Sequence, residues 1–315
     1  MKTTQTNRKK RWIQMNSENS EIKNNPEKVS PNDVGKLDHK NLYIQRFDPF
    51  LRFLHLLVII SFISLAITGM TIKFSDVGIF QFISQFLGGY EVTGFIHRFA
   101  AIITFYYFFA QLYYLAKKKK RKEASLKELL SGENSLVPNK NDVVEFWQTM
   151  KWFLGFGKRP NYGRWTYWEK FDYFAVFWGV AVIGSSGLML WFPEFFTFIG
   201  LPGWFINVAG IIHSDEALLA TGFIFSVHFF NSHFRPEKFP MDPVIFTGKI
   251  TIEELKNDRP RQYKLLVESG ELEKMIVPPP TENLKRAAHI FGITAFLFGF
   301  ITLLLILYTV IFVYN

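Results

Sequence analysis

Residues 210–234 read GIIHSDEALLATGFIFSVHFFNSHF, a stretch long and apolar enough to cross a bilayer as helix, with His213 and His228 inside it. Ionisable side chains in such a stretch are uncommon and need a reason. The two histidines stand fifteen residues apart. At 100° per residue that spacing returns to within about 60° of the starting direction, and the rise between them is about 22 Å. One helix thus presents an imidazole near each membrane face, on roughly one side.

Four other stretches have spanning length, near 50–72, 91–116, 171–192 and 288–314; the last, AAHIFGITAFLFGFITLLLILYTVIFVYN, is the most continuous. The expected fold is an all-α integral membrane protein: a transmembrane four-helix bundle plus a fifth, C-terminal transmembrane helix. Hydrophobic residues make up 49% and aromatic residues 18% of 315, while the net charge is +9. The apolar residues gather in blocks, which excludes a disordered chain and argues against a soluble globule. With no cysteine in the sequence, disulfides, Cys-ligated zinc, iron–sulfur clusters and covalent c-type haem are excluded.

Of the 36 Lys and Arg, 11 lie in 1–52, 13 in 117–170 and 10 in 235–287; the others are Lys73 and Arg98. The linker 193–212 holds none. Five spans meet the positive-inside rule without exception, placing the N-terminus in the cytoplasm and the C-terminus in the periplasm. The run Lys117–Lys122 then reads as an inner-leaflet anchor, and no nucleic-acid partner is expected. Residues 1–41 read as a disordered cytoplasmic tail, and the first 40 lack the apolar core of a signal peptide. Residues 42–250 form the expected domain of four spans, 251–287 a cytoplasmic helical segment opened by the capping pattern Thr251-Ile-Glu-Glu254, and 288–315 the fifth span. In 140–156, Val143, Val144, Trp147, Met150 and Leu154 recur at helical spacing, as in a helix lying in the inner interface.

Six of the seven histidines lie in or beside spans; His39 sits in the polar tail. The first helix enters from the cytoplasm and holds His55 near its inner end, while the second enters from outside and holds His97 near its outer end. The depths therefore pair His55 with His228 and His97 with His213. Paired imidazoles on facing helices suit the axial ligation of two b-type haems. A di-iron or zinc enzyme would cluster its histidines at one depth. Arg52 and Arg98, with Arg46, stand where haem propionates would emerge; snorkelling to the interface is the alternative. His233 points about 140° away from His228 and reads as an interfacial histidine or a quinone contact. His289 reads as structural, with displacement of an assigned inner ligand as the alternative.

RFLHLLVIISFISLAITGM, GFIHRFA and HSDEALLATGFIFSVHFFNSHFRPEKFPMD make the chain resemble the dihaem cytochrome b subunits of the formate dehydrogenase gamma, thiosulfate reductase and nickel–iron hydrogenase group, over roughly 42–250. The resemblance implies the ligand pairs His55 with His228 and His97 with His213. It also implies electron exchange between the quinone pool and a separate redox subunit, a periplasmic multihaem cytochrome c or an iron–sulfur protein, in a bacterial inner membrane. Asn231, His233 and Arg235, helped by Lys238, are the expected quinone pocket. The fourth-helix spacing departs from the formate dehydrogenase type, fifteen here for fourteen there, and the fifth helix is an addition to the four-helix core. Rival readings are a haem-free membrane anchor, a transporter with proton-binding histidines, and a cytochrome b that reduces ferric ion or ascorbate radical.

Overall fold

The computed structural model describes residues 42–120 and 125–314, so the tail expected over 1–41 lies outside the described residues. Among the described residues, five helices are long and apolar enough to cross a membrane: α1 (Pro49–Lys73), α2 (Tyr90–Lys120), α3 (Tyr167–Trp191), α4 (Gly203–Phe234) and α5 (Glu282–Phe312). All five coincide with the expected stretches, and most extend them by a few residues. In lipid a helix must satisfy its own polar groups. In α1, Ser64 Oγ donates to Ile60 O (2.7 Å), Thr68 Oγ1 to Ser64 O (2.6 Å) and Thr71 Oγ1 to Ile67 O (2.8 Å).

The chain divides into two compact units. One comprises the described residues through Arg52, with Asn141–Thr166 and Pro243–Ala288. The other comprises Phe53–Lys140, Tyr167–Asp242 and the chain from His289 onward.

The first unit contains a small antiparallel sheet, which the all-helical reading did not foresee. Its strands β1 (Tyr43–Gln45), β2 (Lys249–Thr251) and β3 (Ile276–Val277) lie in the order β2-β1-β3, with Ile44 opposite both Ile250 and Ile276. Strands of two or three residues carry too little alternation to be read from sequence. Ile44, Ile250, Ile252, Leu255 and Leu272 form the core. Gly248, at φ +76°, turns the chain into β2, and Arg46 N and Phe47 N both donate to its carbonyl. The segment expected at 251–287 does open on a cap: Thr251 Oγ1 accepts from Glu254 N at 3.1 Å and starts the helix Ile252–Asp258. The expected break at 250 falls inside β2, and the units divide instead between Asp242 and Pro243.

In the same unit, helix Lys140–Phe153 buries Asp142, Glu145 and Thr149, while Val143, Val144 and Trp147 are exposed. Thr149 Oγ1 meets Tyr162 OH at 2.7 Å, and Arg261 Nη1 reaches Glu145 Oε1 at 3.4 Å. A helix with polar groups inward and an apolar face outward suits a lipid interface rather than bulk water.

In the second unit α1, α2, α3 and α4 hold the site, and α5 packs against α1 and α4. Ala66, Phe225 and Phe229 form one buried cluster with Phe296 and Leu303 against it. Met70, Phe74, Phe80 and Ile306 form another. Between α1 and α2 the chain makes an unforeseen helix, Gly78–Leu87, ended by Gly88 at φ +105° and Gly89 at φ +95°. Close approach of α5 to α4 depends on Gly299, where a Cβ would lie 2.7 Å from carbons of both the Phe225 and Phe229 rings. Gly299→Ala is therefore expected to cost about 1–3 kcal/mol through overpacking, read as a lower melting temperature of the purified protein in detergent. An unchanged melting temperature would mean that α5 does not seat against α4 in this way.

Candidate functional site

Each histidine expected at the site sits on the helix assigned to it. His97 on α2 and His213 on α4 lie with ring centroids 6.1 Å apart and planes at 75°. At the other end of α4, His228 lies within electrostatic reach of His55 on α1. One end of the bundle thus brings together His55 and His228, the other His97 and His213.

Three of these rings are held by a hydrogen bond at Nδ1. Thr68 Oγ1 gives its own proton to Ser64 O, so it accepts from His97 Nδ1 at 2.9 Å. Ile183 O accepts from His213 Nδ1 at 2.9 Å. Asp172 Oδ2 accepts from His228 Nδ1 at 2.9 Å. A ring that donates from Nδ1 keeps its lone pair on Nε2, which is the nitrogen left to bind a metal.

Departures from α-helix serve this arrangement. Ile183 lies in a π turn of α3, Val180–Gly184, where the ordinary helical bonding of carbonyls is broken. Its carbonyl accepts from the His213 ring as well as from Ser186 Oγ at 3.1 Å. A second π turn, Ile224–His228, lies between the two α4 histidines. Such a turn holds one residue more than an α turn, so fifteen residues through it advance about as fourteen do through plain helix. The angle between the two side chains changes from about 60° on one side to about 40° on the other. The extra residue in the spacing is absorbed there.

Glycines leave room beside two of the rings. A Cβ at Gly187 on α3 would lie 2.9 Å from His213 Cε1, and one at Gly69 on α1 would lie 3.3 Å from His97 Cε1.

The family model for prokaryotic cytochrome b561 matches residues 46–236, which spans α1 to α4 and both histidine pairs. The chain belongs to the prokaryotic cytochrome b561 family. It is a membrane b-type cytochrome that works in electron transfer, and a multi-pass bacterial membrane protein, in agreement with the resemblance to the cytochrome b subunits of the hydrogenase and formate dehydrogenase group. Comparison with curated proteins finds no match. The α5 helix lies outside the matched residues.

Proteins of this cytochrome b561 family bind b-type haem, and the side chains present fit that group. Two imidazoles bound to opposite sides of one iron place their ring centres about 6 Å apart. The His97–His213 separation of 6.1 Å meets that requirement. The anchored Nδ1 atoms leave Nε2 for iron, and the glycines keep bulk away from the rings. Among the described residues no cluster of three or more His, Asp or Glu suits a bare metal ion.

The remaining candidates are more scattered. Arg98 is exposed on α2, with its guanidinium 5.9 Å from the Trp191 ring. Arg52 belongs to the first unit, where its Nε donates to Phe246 O at 2.8 Å. Burial, and secondarily the Arg52 charge, hold the nearby Lys249 amino group below its usual range. Arg46 is committed within that unit to Gln262 Oε1 (3.3 Å) and Arg164 O (2.9 Å). In the second unit, His233 is buried against Phe296, ring centroids 4.7 Å apart, and its Nδ1 donates to Pro240 O at 3.1 Å. Asn231 Nδ2 donates to Val227 O on its own helix (3.0 Å). Arg235 lies over the Trp168 ring at 5.2 Å, and Lys238 pairs with Asp242 at 3.1 Å. His289 stands partly exposed on α5.

Sequence reading passed over Asp172, Thr68, Gly69, Gly187 and the Ile183 carbonyl. Asp172 had a readable signal, as an acid inside a spanning stretch. The two glycines and the carbonyl had none.

Proposed function

We propose that this cytochrome is a dihaem electron carrier between the quinone pool and a separate redox subunit at the opposite membrane face. The observation that carries the reading is the pairing of histidines at both ends of one helix bundle, His55 with His228 and His97 with His213. Bound haem iron takes up and releases one electron at a time. The protein's part is to hold the imidazoles in one tautomer, keep the rings apart and exclude water from the space between helices.

The asymmetric distribution of Lys and Arg supports an N-terminus in the cytoplasm and a C-terminus in the periplasm, across the inner membrane. The His55–His228 pair then lies toward the cytoplasm. Arg52, one turn before His55, and Arg98, beside His97, are the proposed propionate partners at the two faces.

Quinol oxidation releases two protons as well as two electrons, so its site needs a proton acceptor beside an apolar groove. We assign the acceptor role to His233, whose Nδ1–H is held by Pro240 O and whose Nε2 remains an acceptor. Asn231 and Arg235 supply polar contacts for the headgroup, with Phe229 and Phe296 for the ring. The partner is a separate periplasmic multihaem cytochrome c or iron–sulfur protein, because this chain carries no cysteine for either cofactor.

The test is a reduced-minus-oxidised spectrum with a haemochrome assay: a b-type α-band at about two haems per chain is expected. One haem or none overturns the reading. Replacing His233 and Asn231 together by alanine is expected to slow haem reduction by a quinol analogue about tenfold or more, with dithionite-reducible haem unchanged. Undiminished quinol-dependent reduction in that variant would remove these residues from the quinone site.

A further inference from the structure

The acceptors that hold the histidine rings are not alike. At the His97–His213 end both are neutral, the Thr68 hydroxyl and the Ile183 carbonyl. At the His55–His228 end the His228 ring is held by the Asp172 carboxylate. Asp172 Oδ1 is buried and has no hydrogen-bond partner among the described residues, and no Lys or Arg pairs with this carboxylate there. Its charge is thus offset by little except the imidazole it holds.

An anionic acceptor on Nδ1–H draws the proton toward itself and makes the imidazole a stronger electron donor through Nε2. It also adds negative charge near the iron. Both effects favour the ferric state, which carries the larger positive charge, over the ferrous state. A hydroxyl or carbonyl acceptor orients the ring with a much smaller effect of either kind.

We infer that Asp172 is a positioning residue that makes the haem held by His55 and His228 the lower-potential one of the two, so that electrons run favourably from that end of the bundle to the His97–His213 end. This rests on the dihaem reading proposed above. In the exchange, ferrous iron at the first site loses one electron and ferric iron at the second gains it. With the N-terminus in the cytoplasm, this sense corresponds to quinol oxidation at the inner haem and delivery outward.

Redox titration of the haem-loaded protein, followed in the visible α-band, tests the assignment. Asp172→Asn keeps a hydrogen-bond acceptor and removes the charge. It is expected to raise the lower midpoint by a tenfold change in that haem's reduction equilibrium, about 59 mV for one electron, and to leave the upper midpoint in place. Asp172→Glu should retain the low value. Two unmoved midpoints in Asp172→Asn, with both haems bound, would overturn the inference.

A second variant covers the case in which Asp172→Asn does not load. Thr68→Val removes the neutral acceptor at His97 and should perturb only the higher-potential haem. A shift confined to the lower-potential haem would place the low potential at the wrong end and overturn the inference. Wild-type protein with fewer than two haems would instead defeat the dihaem reading itself.

Discussion

His213→Ala is expected to lower the haem content from about two to about one per chain, and His228→Ala to do the same through the other haem. Each variant removes an imidazole from α4 and leaves the pair at the opposite end untouched. The retained haem should differ between the two variants in its midpoint potential, because its neighbours are different: Thr68 and Ile183 O at one end, Asp172 at the other. The double variant should hold no low-spin haem. His233→Ala and His289→Ala should keep both, since the His233 ring packs against Phe296 and its Nδ1 is bound to Pro240 O. The measurements are a haemochrome assay and a low-temperature electron paramagnetic resonance spectrum of the ferric protein. Two low-spin haems surviving in His213→Ala would exclude that residue as a ligand.

Gly187→Val should have nearly as large an effect without touching a ligand. A Cβ at this position would stand 2.9 Å from His213 Cε1 and 3.2 Å from its Nδ1, so the ring has to turn or the helices have to separate. Turning the ring breaks the bond from Nδ1 to Ile183 O, which fixes the tautomer, and two added methyl groups deepen the clash. The expected result is loss of the haem at the His97–His213 end, with the other haem retained. Gly222→Ala on α4 is the control, because a Cβ there meets nothing within 4 Å. Full loading of both haems in Gly187→Val would show that His213 does not need this space.

The geometry also explains why histidine spacing alone gives only an approximate site. Reading fifteen residues of α4 as plain helix misplaces His228 by the angle that the Ile224–His228 turn removes. The inserted residue leaves the hydrophobic run unbroken, so composition carries no trace of it. The Val180–Gly184 turn is equally silent in the sequence, yet it contains the carbonyl that orients His213.

What the sequence determined by itself was everything that follows from transfer between water and lipid. Five long apolar runs, basic segments between them, and histidines at two depths specify the spans and the residues that pair across them. These are local properties of composition and helical rise, insensitive to which helix packs against which. The tertiary structure decided what depends on contacts between distant segments. Strand β1 pairs with β2 and β3 across more than 200 residues, too short for any pattern to reveal, and moves 42–52 into the first unit. Asp172, Thr68, Gly69 and Gly187 acquire their roles only when α1 and α3 meet α2 and α4, because a hydrogen bond at 2.9 Å or an absent Cβ has meaning only against the ring it faces.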